Sequence, residues 1–171
     1  ALEYDLLVPF HYFGITDESG VDLKDSENLT PDQIAKRLSV HRRVDFIIEK
    51  MNYYGHDGLK RKALGFCMTI AHAEFMAEEF NKRGIPSIAL SGGDKVSKRE
   101  SYTKLLEAED SDLEVIFTVD IFNEGIDIPG VNLVMMLRPT QSSIVFTQQL
   151  GRGLRKKDNK EFLTVLDRKS V

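Results

Sequence analysis

Short runs of apolar residues alternate along this chain with longer stretches whose apolar positions recur every three or four residues. The runs Leu6 to Phe10, Ala63 to Met68, Ser87 to Leu90, Leu113 to Thr118, Asn132 to Leu137 and Phe162 to Leu166 predict short buried strands, several apolar on both faces. Between most of them, the segments Pro31 to Leu38, Arg42 to Tyr54, Ala71 to Arg83, Ser97 to Ala108 and Ser143 to Leu150 carry the helical period. Strands that alternate with helices imply crossover units. The expected fold is therefore α/β, a mostly parallel sheet with helices on both faces.

Punctuation supports these boundaries. Thr30 followed by Pro31 is an N-cap and first-turn pair, and Gly84 before Ile85-Pro86 ends a helix. The stretch Thr16 to Asn28 is acidic and turn-rich, and the first sixty residues lack the regular alternation of the rest. Residues 1–60 are expected to form a leading linker and a helical insertion packed on the domain, and residues 61–171 the main domain.

Composition narrows the classes. At 171 residues the chain has the length of one ordinary domain. No run of about 18 apolar residues and no signal peptide is present, so no membrane contact is expected and the default location is the cytoplasm. Cys67 is the only cysteine, which excludes an intramolecular disulfide and a Cys-rich zinc site, and its apolar surroundings suit a buried hydrophobe. A formal net charge of −4 argues against holding nucleic acid by bulk positive charge, so any such site must be local. The start at Ala1 without an initiator methionine is read as a piece of a longer polypeptide.

In open α/β sheets, ligands collect at the carboxyl ends of strands. That directs attention to Thr69 to His72, Ser91 to Asp94, Val119 to Asp127 and the segment from Arg138 onward. In the last of these, Gln148, Arg152 and Arg155 are spaced i, i+4 and i+7, one face of a helix, with no carboxylate before Asp158 to offset the two guanidiniums. An external anion would resolve that repulsion, since guanidinium forks match phosphate oxygens. A solvated basic helix end, continued by Lys156 and Lys157, would carry the same spacing. Asp120, Asn123, Glu124 and Asp127 crowd one loop, but no histidine is near and such residues more often cap helices, so no metal site is expected. Asp127, between Ile126 and Ile128, suits hydrogen bonds from ribose hydroxyls or an arginine.

Taken together, Gln-x-x-Gly-Arg-x-x-Arg at 148–155, following Asn-Glu-Gly-Ile-Asp-Ile-Pro at 123–129, resembles motifs VI and V of superfamily 2 helicases. The nearest resemblance is to the DEAD/DEAH-box branch that holds the restriction-enzyme translocating subunits and UvrB-like proteins, over roughly Lys62 to Leu166. The opening Leu6 to Gly14 also resembles the segment entering the second motor domain of that branch. The resemblance implies a C-terminal RecA-like motor domain of the P-loop NTPase type. It makes Arg152 and Arg155 arginine fingers for the γ-phosphate with Gln148 beside them, and brings Gly125 and Asp127 to the nucleotide.

The same resemblance implies nucleic-acid contacts from Thr69 and His72 at a helix start, from Gly92 and Arg99 in the next motif, and from Thr118. Thr69 could equally be an N-cap, and Arg99 a plain exposed helix residue. The family's motif V often has threonine directly before the aspartate; here that position is Val119, and Thr118 one earlier turns its hydroxyl to the opposite face of the strand. Glu124 stands where the DEAD-box branch often has arginine, which fits DNA translocation better than RNA contacts.

Neither a Gly-x-x-x-x-Gly-Lys-Ser/Thr loop nor an acidic magnesium strand occurs, and Ser91-Gly92-Gly93-Asp94-Lys95 lacks that spacing. The resemblance therefore implies that ATP and Mg2+ bind mainly to a preceding N-terminal RecA-like domain of the same polypeptide, that DNA is the other partner, and that this chain alone holds no cofactor and is inactive. Two other classes fit the composition: a non-catalytic nucleic-acid-binding or regulatory domain, and a Rossmann-like small-ligand module with its own complete site.

Overall fold

A computed structural model describes residues 10–16, 30–33, 41–56, 60–119, 130–137 and 163–169. Among them, six strands form one sheet: β1 (Phe10–Thr16), β2 (Ala63–Phe66), β3 (Ser87–Ala89), β4 (Val115–Thr118), β5 (Leu133–Met136) and β6 (Leu163–Lys169). Their order across the sheet is β1-β6-β5-β2-β4-β3, and every pair is parallel. Three helices accompany them: α1 (His41–Tyr54), α2 (Ile70–Lys82) and α3 (Val96–Glu107).

The central strands are apolar throughout because both of their faces are covered. β2, β4 and β5 are buried at every position, and their side chains alternate between two cores. Leu64, Phe66, Ile116, Val134 and Met136 join Leu106 of α3 on one face. Ala63, Val115, Phe117, Leu133 and Met135 join Val44, Ile47 and Met51 of α1 and Ala73, Met76 and Phe80 of α2 on the other. The chain crosses from β2 to the sheet edge at β3 through α2, then steps back to β4 through α3. Reversing direction while keeping the hand of the crossover requires the helix to change face, which is why α2 and α3 lie on opposite sides.

Gly65 is where the sheet sets its tightest condition. It pairs with Phe117 across β2 and β4, and a Cβ added there would lie 2.5 Å from the Phe117 ring. The missing side chain lets that ring lie over the strand and meet Phe80 of α2 edge to face, with centroids 4.9 Å apart. Glycine here is a packing requirement rather than a turn.

The expected helix boundaries hold to within a residue for α1, α2 and α3. Thr30 Oγ1 accepts from the Gln33 N–H at 3.2 Å and Gln33 Oε1 accepts from the Thr30 N–H at 3.0 Å, a reciprocal cap on the helical turn at residues 31–33. Gly84 ends α2 with φ +80, and the N–H groups of Gly84 and Ile85 bond back to the carbonyls of Asn81 and Phe80. This is a Schellman ending, with Ile85 and Phe80 in the same core. The expected helix at Ser143 to Leu150 lies outside the described residues.

The first strand extends beyond its expected end. It runs over Phe10–Thr16, past the Phe10 at which it is expected to stop, and residues 6–9 of the expected strand lie outside the described residues. Likewise β6 continues past Leu166 to Lys169. Pairing explains both, because β6 is matched to β5 only up to Asp167, whereas β1 follows β6 from Leu163 to Lys169. Backbone hydrogen bonds between two strands at the sheet edge do not need the apolar pattern that marks the buried centre. The segment before Lys60 thus supplies β1 to the sheet and α1 to the core.

A polar knot closes the amino ends of the strands. Asn132 accepts from the Lys62 N–H at 2.8 Å and donates to the Lys60 carbonyl at 2.7 Å, fixing the start of β2 against β5. The Lys60 ammonium donates to the carbonyls of Leu105, Leu106 and Ala108, where α3 ends and its dipole is negative. Burial, followed by the neighbouring Lys62, lowers the Lys60 pKa. Arg61 pairs with Glu114 and with Asn52 of α1, and Lys62 pairs with Glu109. The whole basic run Lys60-Arg61-Lys62 is thereby spent inside the fold.

Two stability outcomes follow from this packing. Gly65→Ala should destabilise the chain by about 1–3 kcal/mol in a denaturant titration, because the inserted methyl must displace a packed ring. Asn132→Ala should cost about 2 kcal/mol in the same assay, since it strands the buried Lys62 N–H.

Candidate nucleic-acid and nucleotide interface

All six strands are parallel, so their carboxyl ends share one edge, and the chain leaves the sheet there at four described places. Three of these departures, after β2, β3 and β5, are each locked to a neighbouring strand by one further ladder bond. The Cys67 N–H donates to the Thr118 carbonyl, the Leu90 N–H to that of Phe117 and the Leu137 N–H to that of Phe66. Turns on this edge therefore start from fixed positions.

After β2 comes Thr69, the N-cap of α2, with extended backbone and its Oγ1 accepting from the His72 N–H at 3.0 Å. Of the two roles left open by the sequence, capping is the one its side chain performs here. His72 is buried, and its Nδ1 accepts from the Met68 N–H at 3.4 Å. Its ring faces inward: three residues past the cap, the side chain turns back over the helix start. The first turn of α2 carries no acidic residue, leaving the positive end of its dipole unopposed. Cys67, just before it, is fully buried and desolvation pushes its thiol pKa up, in keeping with a packing role.

Beyond β3, residues Ser91 to Asp94 form a closed turn. The Ser91 N–H donates to Asp94 Oδ2 at 2.8 Å and the Asp94 N–H donates to the Ser91 carbonyl at 3.1 Å. Asp94 Oδ1 accepts from Lys98 at 3.0 Å. The Ser91 bond, helped by Lys98, holds the Asp94 carboxyl below the usual carboxylate range against the opposing effect of burial. Gly92 and Gly93 are exposed at the tip, and Arg99, one turn into α3, is half-buried rather than fully exposed. Sequence reasoning named Gly92 and Arg99 but missed Asp94, although a carboxylate three residues after Ser91 is a turn-closing spacing.

At the end of β4, Thr118 is fully buried, and its Oγ1 has no hydrogen-bond partner among the described residues. It shares a strand face with Ile116, toward the α3 core, as its alternation with Phe117 requires. The motif V residues Gly125 and Asp127, and Gln148, Arg152 and Arg155, lie outside the described residues. Among the described residues no group of three or more His, Cys, Asp or Glu side chains could hold a metal ion, and no helix is long and apolar enough to cross a membrane.

Comparison with known proteins agrees with this layout. The family model for the helicase conserved C-terminal domain matches residues 43–157, more than half of the chain. A Schizosaccharomyces pombe protein described as a mitochondrial ATP-dependent helicase, irc3, is 30% identical over 145 residues, covering 85% of this chain and 23% of its own length. The type I restriction enzyme EcoKI endonuclease subunit of Escherichia coli is 31% identical over 117 residues, covering 63% of this chain and 10% of its own length. The chain thus spans under a quarter of either relative. Among solved structures, a fragment of an HsdR subunit of a type I restriction enzyme from Vibrio vulnificus superposes with a TM-score of 0.64 at 15% identity, over 95% of this chain and 32% of that one. The type ISP restriction-modification enzyme LlaBIII, solved bound to DNA, gives a TM-score of 0.61 at 23% identity, over 98% of this chain and 12% of that one. On its family match and its parallel sheet, the chain belongs to the helicase conserved C-terminal domain family and is a RecA-like C-terminal domain of the superfamily 2 type.

Proposed function

We propose that this domain is the second motor of an ATP-dependent DNA helicase or translocase, completing a nucleotide site whose larger part lies on an N-terminal RecA-like domain of the same polypeptide. The observation that carries this reading is the Gln148, Arg152, Arg155 spacing within the family match, in a chain with no phosphate loop of its own. When ATP and Mg2+ are bound by the partner domain, closure of the cleft brings Arg152 and Arg155 to the γ-phosphate. Their charge offsets the charge that develops during transfer, with Gln148 orienting the attacking water or an arginine. Gly125 and Asp127 approach the ribose. A cytoplasmic setting belongs to the same reading.

Nucleic acid runs along the carboxyl edge in this proposal, and its backbone is held more by main-chain N–H groups than by side chains. The start of α2 after Thr69 offers its dipole, the Gly92-Gly93 tip a surface without side chains, and Arg99 a charge nearby. With His72 and Thr118 buried, their contribution is to shape these turns. DNA is favoured over RNA by Glu124 and by the relatives that are restriction-enzyme subunits.

The arginine assignment is tested in the intact enzyme. Arg155→Ala should lower kcat of the nucleic-acid-stimulated ATPase by about 10^3-fold or more, while leaving ATP binding largely in place. Activity within a few-fold of the parent would show that Arg155 is not a finger.

A further inference from the structure

The Ser91 to Asp94 turn has two properties that the fold itself does not require. Gly93 lies outside the left-handed region, and a Cβ added there would meet only the Ser91 Oγ, at 3.7 Å. Neither conformation nor packing demands glycine at this exposed position, in contrast to Gly84, which needs its φ, and Gly65, which needs its missing side chain. The turn is also closed by an acidic residue on an edge where a polyanion is proposed to bind. Asp94 places a carboxylate beside Lys98 and Arg99 and partly cancels the local positive charge. A carboxylate in such a place opposes phosphate binding through its charge and can favour it only through geometry.

We infer that Asp94 is a positioning residue for nucleic acid: by accepting the Ser91 N–H it pre-forms the turn, so that the Gly92-Gly93 main chain meets a backbone phosphate at close range. This rests on the reading of the carboxyl edge as the nucleic-acid face. The mechanism is preorganisation: a turn already closed on one internal hydrogen bond loses little freedom when the phosphate arrives. Asp94 touches no substrate and acts through the turn. Lys98, held by the other carboxylate oxygen, keeps the carboxylate oriented.

The two ways in which Asp94 could matter have opposite signs, which makes them separable. Asn at 94 keeps an oxygen to accept the Ser91 N–H but removes the charge; Ala removes both. The experiment measures binding of a fluorescein-labelled DNA duplex to the 171-residue chain by anisotropy at low salt, alongside the melting temperature of each variant. The inference expects Asp94→Ala to weaken binding roughly fivefold despite losing a negative charge, and Asp94→Asn to bind as well as the parent or better. Gly93→Ala should leave the melting temperature unchanged and weaken binding by a similar factor. If Asp94→Ala and Asp94→Asn both tighten binding equally, Asp94 is only a charge and the inference is overturned. Parent-like binding by Gly93→Ala overturns it as well, and does so even if Asp94→Ala fails to fold. If the parent itself shows no salt-dependent binding, the nucleic-acid reading of this edge fails first and takes the inference with it.

Discussion

Burial of β2, β4 and β5 on both faces is the constraint from which the rest of this structure follows. A strand with a core on each side cannot carry a polar side chain without leaving it unsatisfied, so its interior positions are apolar and polar chemistry is displaced to the strand ends. Thr118 shows the limit of the rule, a hydroxyl admitted only at the last position of β4. The same constraint makes Gly65 necessary, because two cores and a parallel neighbour leave the Phe117 ring nowhere to lie except over the strand. One consequence is that the sheet is a rigid base for whatever its ends present.

The two ends are used differently. At the amino edge, Lys60, Arg61 and Lys62 turn inward and are satisfied by the end of α3, by Glu114 and Asn52, and by Glu109. This basic run serves as a structural knot. Among the described residues at the carboxyl edge, Thr69, His72 and Thr118 are partly or fully buried, and the Gly92-Gly93 tip and the cations Lys95 and Lys98 at the start of α3 are exposed. A protein with a net charge of −4 can still present a phosphate-binding edge if main-chain dipoles and a few cations converge there and the acid among them, Asp94, is held by the Ser91 N–H and Lys98.

The sequence makes the centre of the fold plain and its margins less so, for a physical reason. The apolar runs at 63–68, 113–118 and 132–137 contain β2, β4 and β5 because double-sided burial leaves a continuous signal, and the caps at Thr30 and Gly84 are local chemistry that neighbouring residues decide. The continuation of the first strand to Thr16 is not legible in the sequence because its pairing with Leu163–Lys169 is a long-range contact with no local signature. At the site, Thr69 could be read as a cap from its position, but the inward turn of the His72 ring depends on tertiary packing that periodicity does not encode. The turn-closing role of Asp94 is hard to read from sequence because it is a three-residue relation between groups that look like ordinary loop residues.

The proposed function comes down to one claim: this domain completes a nucleotide site and does not make one. Calorimetric titration of Mg-ATP into the isolated 171-residue chain addresses that claim most directly. The account predicts no saturable binding up to ~1 mM, because the phosphates and magnesium belong to the partner domain. Saturable binding with a Kd of about 10 μM or tighter would mean that the chain carries a complete nucleotide site of its own, and would contradict the shared-cleft account.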